Sequence, residues 1–324
     1  MAELQYFDFE RPVIAVEEEL KRLRELVEAG DLAHVSEVER LEKRLEKIRG
    51  DVYENLSAYQ RVKLSRHFER PFTLDYIGSF ITDFVELHGD RLFADDSAIV
   101  AGLGKFNSRP VVVVGHQRGR TTKERVSRNF GMTMPEGNRK AMRCFRLAEK
   151  FSLPLLLFID TQGAYPGFEA EARGQAEAIA RNLLVLASLK TIIVSTVIGE
   201  GGSGGALALG ICDRLLMMEN ATYSVITPEG CASILWGKDK NLKKMGEYTE
   251  EAAESLKLTS KALAKTDIVD EIVQEPPGGA HRDRARAADL LEHAIAKHLS
   301  ELSAMPIDEV LALRYEKYRR IGAL

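Results

Sequence analysis

Three apolar runs, each closed by a glycine-containing turn, constrain this chain most: VVVVGHQRG from Val111, LLLFIDTQGAYPG from Leu155 and TIIVSTVIGEGGSGG from Thr191. Aliphatic runs this continuous fit strands covered on both faces rather than strands with one wet face. Helical patterns lie between them. Ala141, Phe145 and Ala148 follow Pro135-Glu136, and Ala172, Ala176, Ile179, Leu183 and Leu186 mark one long helix. A strand at 215–218 follows the third turn. Strands alternating with helices predict an α/β domain with mainly parallel pairing. The run AIVAGLGKF, the turn Asn107-Ser108 and RPVVVVGH read as a β-hairpin with Pro110 at the start of its second strand. In open α/β sheets ligands gather at the carboxyl ends of strands, so chemistry is expected at the three turns.

The third turn is the densest. Gly199, Gly201, Gly202, Gly204 and Gly205 fall close together after a strand predicted at 191–198, and a small-residue helix is expected to open at Ala206. Such a turn leaves backbone N–H groups unpaired beside a helix N-terminus, where they favour negative charge or a developing oxyanion. Three chemistries fit the pattern. G-x-G-x-x-G over 199–204, with Glu219 ending the next strand, suits a dinucleotide, although the room before Asp213 is cramped for a Rossmann crossover. G-x-S-x-G around Ser203 suits a nucleophile elbow, whose acid and histidine should follow in that order. His281, His293 and His298 do follow, but in a linker and a charged helix, where solvated histidines are the plainer reading. The third chemistry needs no side chain: the N–H groups themselves form an oxyanion hole, and glycine lets a substrate approach the backbone. A tight turn packing strand on helix, with no ligand, is the bland alternative.

The chain has 324 residues, 45% of them hydrophobic, enough for a sizeable core, and its net charge of −4 argues against general nucleic-acid binding. MAELQYFDFERPV has no apolar stretch of a signal peptide, and no run reaches the roughly 18 apolar residues of a membrane span, so a cytoplasmic protein is expected. Cys144, Cys212 and Cys231 have neither disulfide-framework nor zinc-ligand spacing. Val16, Leu20, Leu23 and Val27 share a helix face; after Ala29-Gly30-Asp31, Ser36 with Glu39 reads as a capping box before Leu41, Leu45 and Ile48. Residues 16–49 are thus expected to form a charged helical hairpin, either a structural arm or an element of subunit association. Thr73 is expected to cap a helix carrying Ile77, Ile81, Phe84 and Val85, and Glu275-Pro276-Pro277-Gly278-Gly279 reads as a surface linker in a helical tail.

Several segments together carry a resemblance. HGDRLFADDSAIVAGL, GHQRGRTTKERVSRNFGMTMPEG, DTQGAYPG, RGQAEAIARNL, VIGEGGSGGALALG and YSVITPEGCASILW resemble, in order and over nearly the whole chain, the carboxyltransferase alpha subunits of bacterial-type acetyl-CoA carboxylase. The resemblance implies an α/β, crotonase-like fold with a ββα superhelical core, an N-terminal helical hairpin arm over 1–60 and a carboxyltransferase domain with C-terminal helices over 61–324. It implies active sites at subunit interfaces. It implies a zinc-ribbon beta subunit in an α2β2 assembly, working with biotin carboxylase and a biotin carboxyl carrier protein in an ATP-dependent complex. That assembly moves a carboxyl group from carboxybiotin to acetyl-CoA, giving malonyl-CoA for fatty-acid synthesis. Biotin would not be attached to this chain, and no metal, membrane or direct nucleic-acid contact is expected of it.

Residue by residue, the resemblance places the oxyanion pair on Gly204 and Gly205. Their N–H groups would hold the ureido oxygen of biotin as the carboxyl group leaves. The resulting biotin anion could take a proton from the acetyl methyl group, and the enolate could attack the CO2. Ser203 is then a small residue in a crowded turn. Gly163, Ala164 and Tyr165 would line the pocket, or else simply build the turn, with Gly201 and Gly202 completing the substrate-binding set. The family usually reads DTPGAYPG, whereas this chain has Gln162 and a following Phe168-Glu169. The basic stretch 116–146, with Arg118, Arg120, Lys123, Arg125, Arg128, Arg139, Lys140, Arg143 and Arg146 against Glu124 and Glu136, could steer CoA phosphates or an acidic carrier; a solvated face or interface salt bridges are the plainer reading. The rival readings are a stand-alone crotonase-superfamily acyl-CoA hydratase or decarboxylase, and a non-catalytic scaffold subunit.

Overall fold

The valines of 111–114 and the aliphatic run 155–159 are fully buried, as strands covered on both faces must be. The structure, a computed structural model, describes residues 6–237 and 242–322. Residues 1–5, on which the reading of the chain's start partly rests, lie outside the described residues. The sheet runs β1 (Ile81–Glu86), β2 (Ile99–Phe106), β3 (Arg109–His116), β4 (Leu155–Thr161), β5 (Ile193–Gly202), β6 (Arg214–Met218) and β8 (Glu271–Val273), with the short β7 (Thr222–Ser224) paired to the end of β5. The β1–β2 and β2–β3 pairs are antiparallel and the rest are parallel. The expected hairpin forms across Phe106↔Arg109. Asn107 and Ser108 both take left-handed φ, +47° and +63°, as a two-residue primed turn requires.

Helix α6 (Pro135–Lys150) packs on β2 and β3 and against α8 (Gln175–Ser188). It buries Ala141, Phe145 and Ala148, the face read from the sequence. Elsewhere the elements depart from expectation. The helix opening at Thr73 ends at Phe80 (α4, Thr73–Phe80), so Ile81, Phe84 and Val85 lie on β1 instead. Both registers keep Ile81 apolar, but edge pairing of Ile81 with Phe106 decides for the strand. Asp75, not Thr73, caps that helix by accepting from the Phe72 N–H at 2.6 Å, while the Thr73 hydroxyl donates to the His116 carbonyl at 2.5 Å. The single long helix expected over 172–186 is two, α7 (Phe168–Ala172) and α8, broken where Gly174 takes φ +84°.

The chain divides into two compact units between Ser57 and Ala58, the second opening on α3 (Ala58–Ser65). In the first unit, α1 (Arg11–Glu28) and α2 (Val35–Glu54) share a seam of Val13, Val16, Leu20, Leu23, Leu41 and Leu45. The cross-helix pairs Arg24–Glu42 and Arg49–Glu17 are solvent-screened, each worth about 0–1 kcal/mol, so the apolar seam carries the hairpin. Helix α2 begins before the expected capping box: Asp31, rather than Ser36, caps the preceding turn through the Ala33 N–H.

In the second unit the tail is anchored by buried ion pairs. Helix α13 (Arg284–Ser303) packs on α4, and α14 (Ile307–Arg320) on α8. Arg314 of α14 is fully buried, pairs with Asp213 at 2.7 Å and donates to the carbonyls of Leu186, Leu189 and Thr191. The EPPGG segment is not a surface linker. Glu275 is buried beneath it against Arg70 in a two-bond pair of 2.7 and 2.9 Å, and Asn220 and the Ala280 N–H saturate the carboxylate. His281 and His298 are likewise buried, and only His293 is exposed as expected. Among the described residues no helix is long and apolar enough to cross a membrane.

Candidate active site

Strand β4 leads into the 162–167 turn and its parallel neighbour β5 into the glycine cluster, the two meeting at Thr161↔Gly201. The glycines are dictated by how closely these backbones approach. A Cβ on Gly202 would stand 2.3 Å from the Gln162 carbonyl oxygen, and one on Gly205 would stand 2.5 Å from the Gly163 carbonyl carbon and 2.6 Å from the Ala164 nitrogen. Only the absence of a side chain lets the turns touch. Gly204 differs: its Cβ would meet only the Ile179 side chain, at 3.5 Å.

The expected boundary between strand and helix shifts. Strand β5 runs on through Gly199–Gly202, because β7 extends the ladder with Gly201↔Tyr223 and Gly202↔Ser224. The helix α9 (Ser203–Leu207) therefore opens at Ser203, three residues before Ala206. Its first amides, those of Ser203, Gly204 and Gly205, have no carbonyl one turn back within the helix. Ser203 is exposed in the left-handed region (φ +54°) and Gly204 is half-buried, so this end of the turn faces outward.

Gly163 and Ala164 are thus brought against Gly205, Gln162 lies against Gly202, and Ser203 stands over Gly163, where an added Cβ would lie 3.6 Å from its own. Tyr165 is half-buried: its N–H donates to the Thr133 carbonyl at 2.9 Å and its carbonyl accepts from Gln175 at 3.1 Å. Its ring also covers Gly167. Gly201 and Gly202 are buried members of the β5 ladder, with Gly201 packed against Tyr223 and Val197.

The other readings of the glycine pattern lose their parts. Five residues of α9 cannot serve as a Rossmann crossover helix. The histidines that a Ser203 elbow needs are engaged elsewhere: His298 with Glu271 at 2.9 Å, His293 with the Asp289 carbonyl at 2.6 Å, and His281 against the His67 ring in a tilted contact at 4.2 Å. The basic stretch is largely paired within the chain. Arg120 meets Asp75, Arg139 meets Asp90, Lys140 meets Asp95 and Arg146 meets Glu149; Arg125, Arg128 and Arg143 donate to the carbonyls of Gly119, Ser97 and Gly89.

Beneath the two turns lies a charged network that sequence patterns did not single out as a unit. Glu200 of β5 accepts from Arg66 at 2.7 Å and from Arg118 at 2.8 Å; Arg118 also approaches Asp160 of β4 to 3.3 Å, and Arg66 reaches Glu229 at 2.7 Å. Burial alone would raise the Glu200 carboxyl, but the two guanidiniums hold it below the usual carboxylate range. Burial dominates at Asp160 and raises it, with Arg118 offsetting only part. His116, fully buried at the end of β3, is pushed down to about 3 by desolvation and is a neutral imidazole, its Nδ1 accepting from the Asp160 N–H at 3.4 Å. The acidic residues inside DTQG and GEGG were the available signal, but their arginine partners come from segments far apart in sequence. Among the described residues no three or more His, Cys, Asp or Glu side chains cluster to hold a metal ion.

Comparison with known proteins bears on this geometry. A family profile described as acetyl co-enzyme A carboxylase carboxyltransferase-like matches residues 6–322. The acetyl-coenzyme A carboxylase carboxyl transferase subunit alpha of Geobacter metallireducens is 51% identical over 323 residues, covering 99% of both chains. That of Halalkalibacterium halodurans is 51% identical over 315 residues, 97% of this chain and 95% of the relative. Among solved structures, the transcarboxylase 12S core with methylmalonyl-coenzyme A bound superposes with a TM-score of 0.54 at 20% identity, over 68% of this chain and 41% of that one. The beta subunit of P. aeruginosa geranyl-CoA carboxylase superposes with a TM-score of 0.55 at 15% identity, over 81% and 46%. This chain spans under half the length of those two structures, and at such identity the likeness concerns the fold: the crotonase-like α/β core expected from the sequence is the one observed.

Proposed function

The chain belongs to the family of acetyl-CoA carboxylase carboxyltransferase alpha subunits, and from that membership we propose how its glycine turn takes part in carboxyl transfer to acetyl-CoA. As a transferase subunit it works in a complex with other subunits on a biotin-bearing substrate. In the proposed reading, carboxybiotin arrives on a carrier protein, a zinc-ribbon beta subunit completes the site in an α2β2 assembly, and the product is malonyl-CoA. Biotin supplies the transferable carboxyl group and a ureido oxygen that gains negative charge as that group leaves.

This chain's part is to hold that oxygen. The amides of Gly204 and Gly205 lie in the first turn of α9, unclaimed by intrahelical bonding, and Gly205 is locked against the 163–164 backbone. Donors fixed before reaction stabilise developing charge without reorganising, which is the larger share of such catalysis. Gly163, Ala164 and Tyr165 wall the pocket; Gly201 and Gly202 support it from within the strand. The single observation that carries the reading is the backbone-to-backbone packing of Gly205 on Gly163 and Ala164. It permits no side chain at Gly205, so that residue can offer only its backbone N–H as chemistry.

The rim supports a second polypeptide. Val225, which directly follows the residue paired with Gly202, is 75% exposed, Phe168 at the exit of the neighbouring turn is 83% exposed and Leu207 of α9 is 42% exposed. Exposed apolar side chains on the segments that flank a site are expected to be covered in the working assembly. Purified chain mixed with beta subunit, a carboxybiotin donor and acetyl-CoA tests the reading. Malonyl-CoA should form with both polypeptides and stay at background with either alone; product from this chain alone would favour the stand-alone enzyme instead.

A further inference from the structure

We propose that Glu200 is a positioning residue for the transfer reaction, setting the Gly204 and Gly205 amides relative to the 163–164 backbone through its clamp between Arg118 and Arg66. The proposal rests on the carboxyl-transfer reading above.

Glu200 stands four residues before Gly204 on one strand, and Asp160 three residues before Gly163 on the next. Arg118 joins them from the loop after β3. Its Nη2 donates to Glu200 Oε2 at 2.8 Å and its Nε lies 3.3 Å from Asp160 Oδ1. A second link runs along the backbone, where the Glu200 N–H donates to Asp160 Oδ1 at 3.0 Å. Gly199 makes room for this, since a Cβ there would stand 2.5 Å from that same oxygen. On its other side Glu200 Oε1 takes Arg66 Nη2 at 2.7 Å, and Arg66 continues to Glu229 at the start of α10 (Pro228–Trp236). One carboxylate thus ties together the roots of both turns, the segment after α3 and the first turn of α10.

Burial makes this more than packing. The Glu200 side chain is 7% exposed and that of Arg118 14%. A buried ion pair is weak support for stability, because apolar residues of similar volume often stabilise as well. A cation held between two carboxylates links them instead: its charge ties together the two strand ends that carry the opposed turns. Donors for a developing charge tolerate little error, about 1 Å of misplacement costing on the order of 100-fold in rate. In this proposal Glu200 acts through the backbone that carries the turn.

The test uses the complex assembled with beta subunit, running transfer from malonyl-CoA to free biotin. Glu200→Gln keeps the size of the side chain and loses its charge. It should lower kcat about 10- to 100-fold while KM for malonyl-CoA stays within about two-fold and the mass of the complex is unchanged. Arg118→Lys, whose ammonium still bridges both carboxylates, should retain kcat within a few-fold, and Arg118→Met should fall with Glu200→Gln. If Glu200→Gln does not fold, the Arg118→Lys and Arg118→Met pair gives the same reading. Wild-type kcat in Glu200→Gln, a loss explained wholly by dissociation, or Arg118→Lys falling as far as Arg118→Met would overturn the positioning role. A wild-type complex that transfers nothing would instead overturn the functional reading beneath it.

Discussion

Replacing Gly205 with alanine is expected to lower kcat for carboxyl transfer by about 10²–10³-fold, the loss typical of one misplaced oxyanion donor. The added carbon would lie 2.5–2.8 Å from the carbonyl group of Gly163 and the nitrogen of Ala164. Those are backbone atoms at the end of a buried strand, not the far end of a flexible side chain, so the two turns must separate. Gly204→Ala is the control. There the new carbon meets only the Ile179 side chain at ordinary contact distance, and the amide remains. Its loss should stay within about ten-fold. Steady-state kinetics of both variants in complexes of equal mass make the comparison. Equal losses at the two positions would mean that crowding between the turns is not what fixes the donors.

The second large effect is on stability. Arg70→Met should destabilise the second unit by about 3–5 kcal/mol at pH 7, because it strands a fully buried carboxylate. Burial by itself would raise Glu275; the Arg70 guanidinium, with hydrogen bonds from Ala280 and Asn220, instead holds it down to about 2 against an ordinary 4.5. A carboxyl depressed on folding contributes stability that is fully present above pH 4.5 and lost as pH falls towards about 2, here on the order of 3 kcal/mol. The gap between wild type and variant should therefore be widest near neutrality and narrow below pH 4.5. Urea unfolding at a series of pH values reads this gap; a gap independent of pH would mean that Arg70 acts through packing of its stem alone.

The legible parts of the fold were those set by local pattern. Continuous aliphatic runs announced the buried strands, Asn107-Ser108 the hairpin, and the 3.6-residue spacing of Ala141, Phe145 and Ala148 the helix α6. What misled was decided by neighbours distant in sequence. Ile81 and Val85 continue the helical spacing of Ile77, yet pairing with β2 draws them into a strand. The glycines at 199–202 read as a turn, but β7 completes a ladder along them. Pro276, Pro277 and two glycines read as a surface linker, and nothing local shows that Glu275 lies buried against an arginine some 205 residues away. The same blindness applied to the site. Its glycines were visible, whereas the charged network beneath them is assembled from separate segments. Gln162 is exposed, and its carbonyl backs onto Gly202, so the turn is held by contact with β5 rather than by a fixed φ.

The most direct test of the central claim is a crystal structure of the complex with beta subunit and a biotin-bearing ligand in the site. The account predicts the ureido oxygen within about 2.7–3.1 Å of the Gly204 and Gly205 nitrogens. A ureido oxygen held by the Ser203 hydroxyl or by groups of the beta subunit alone, with both amides turned away, would contradict it.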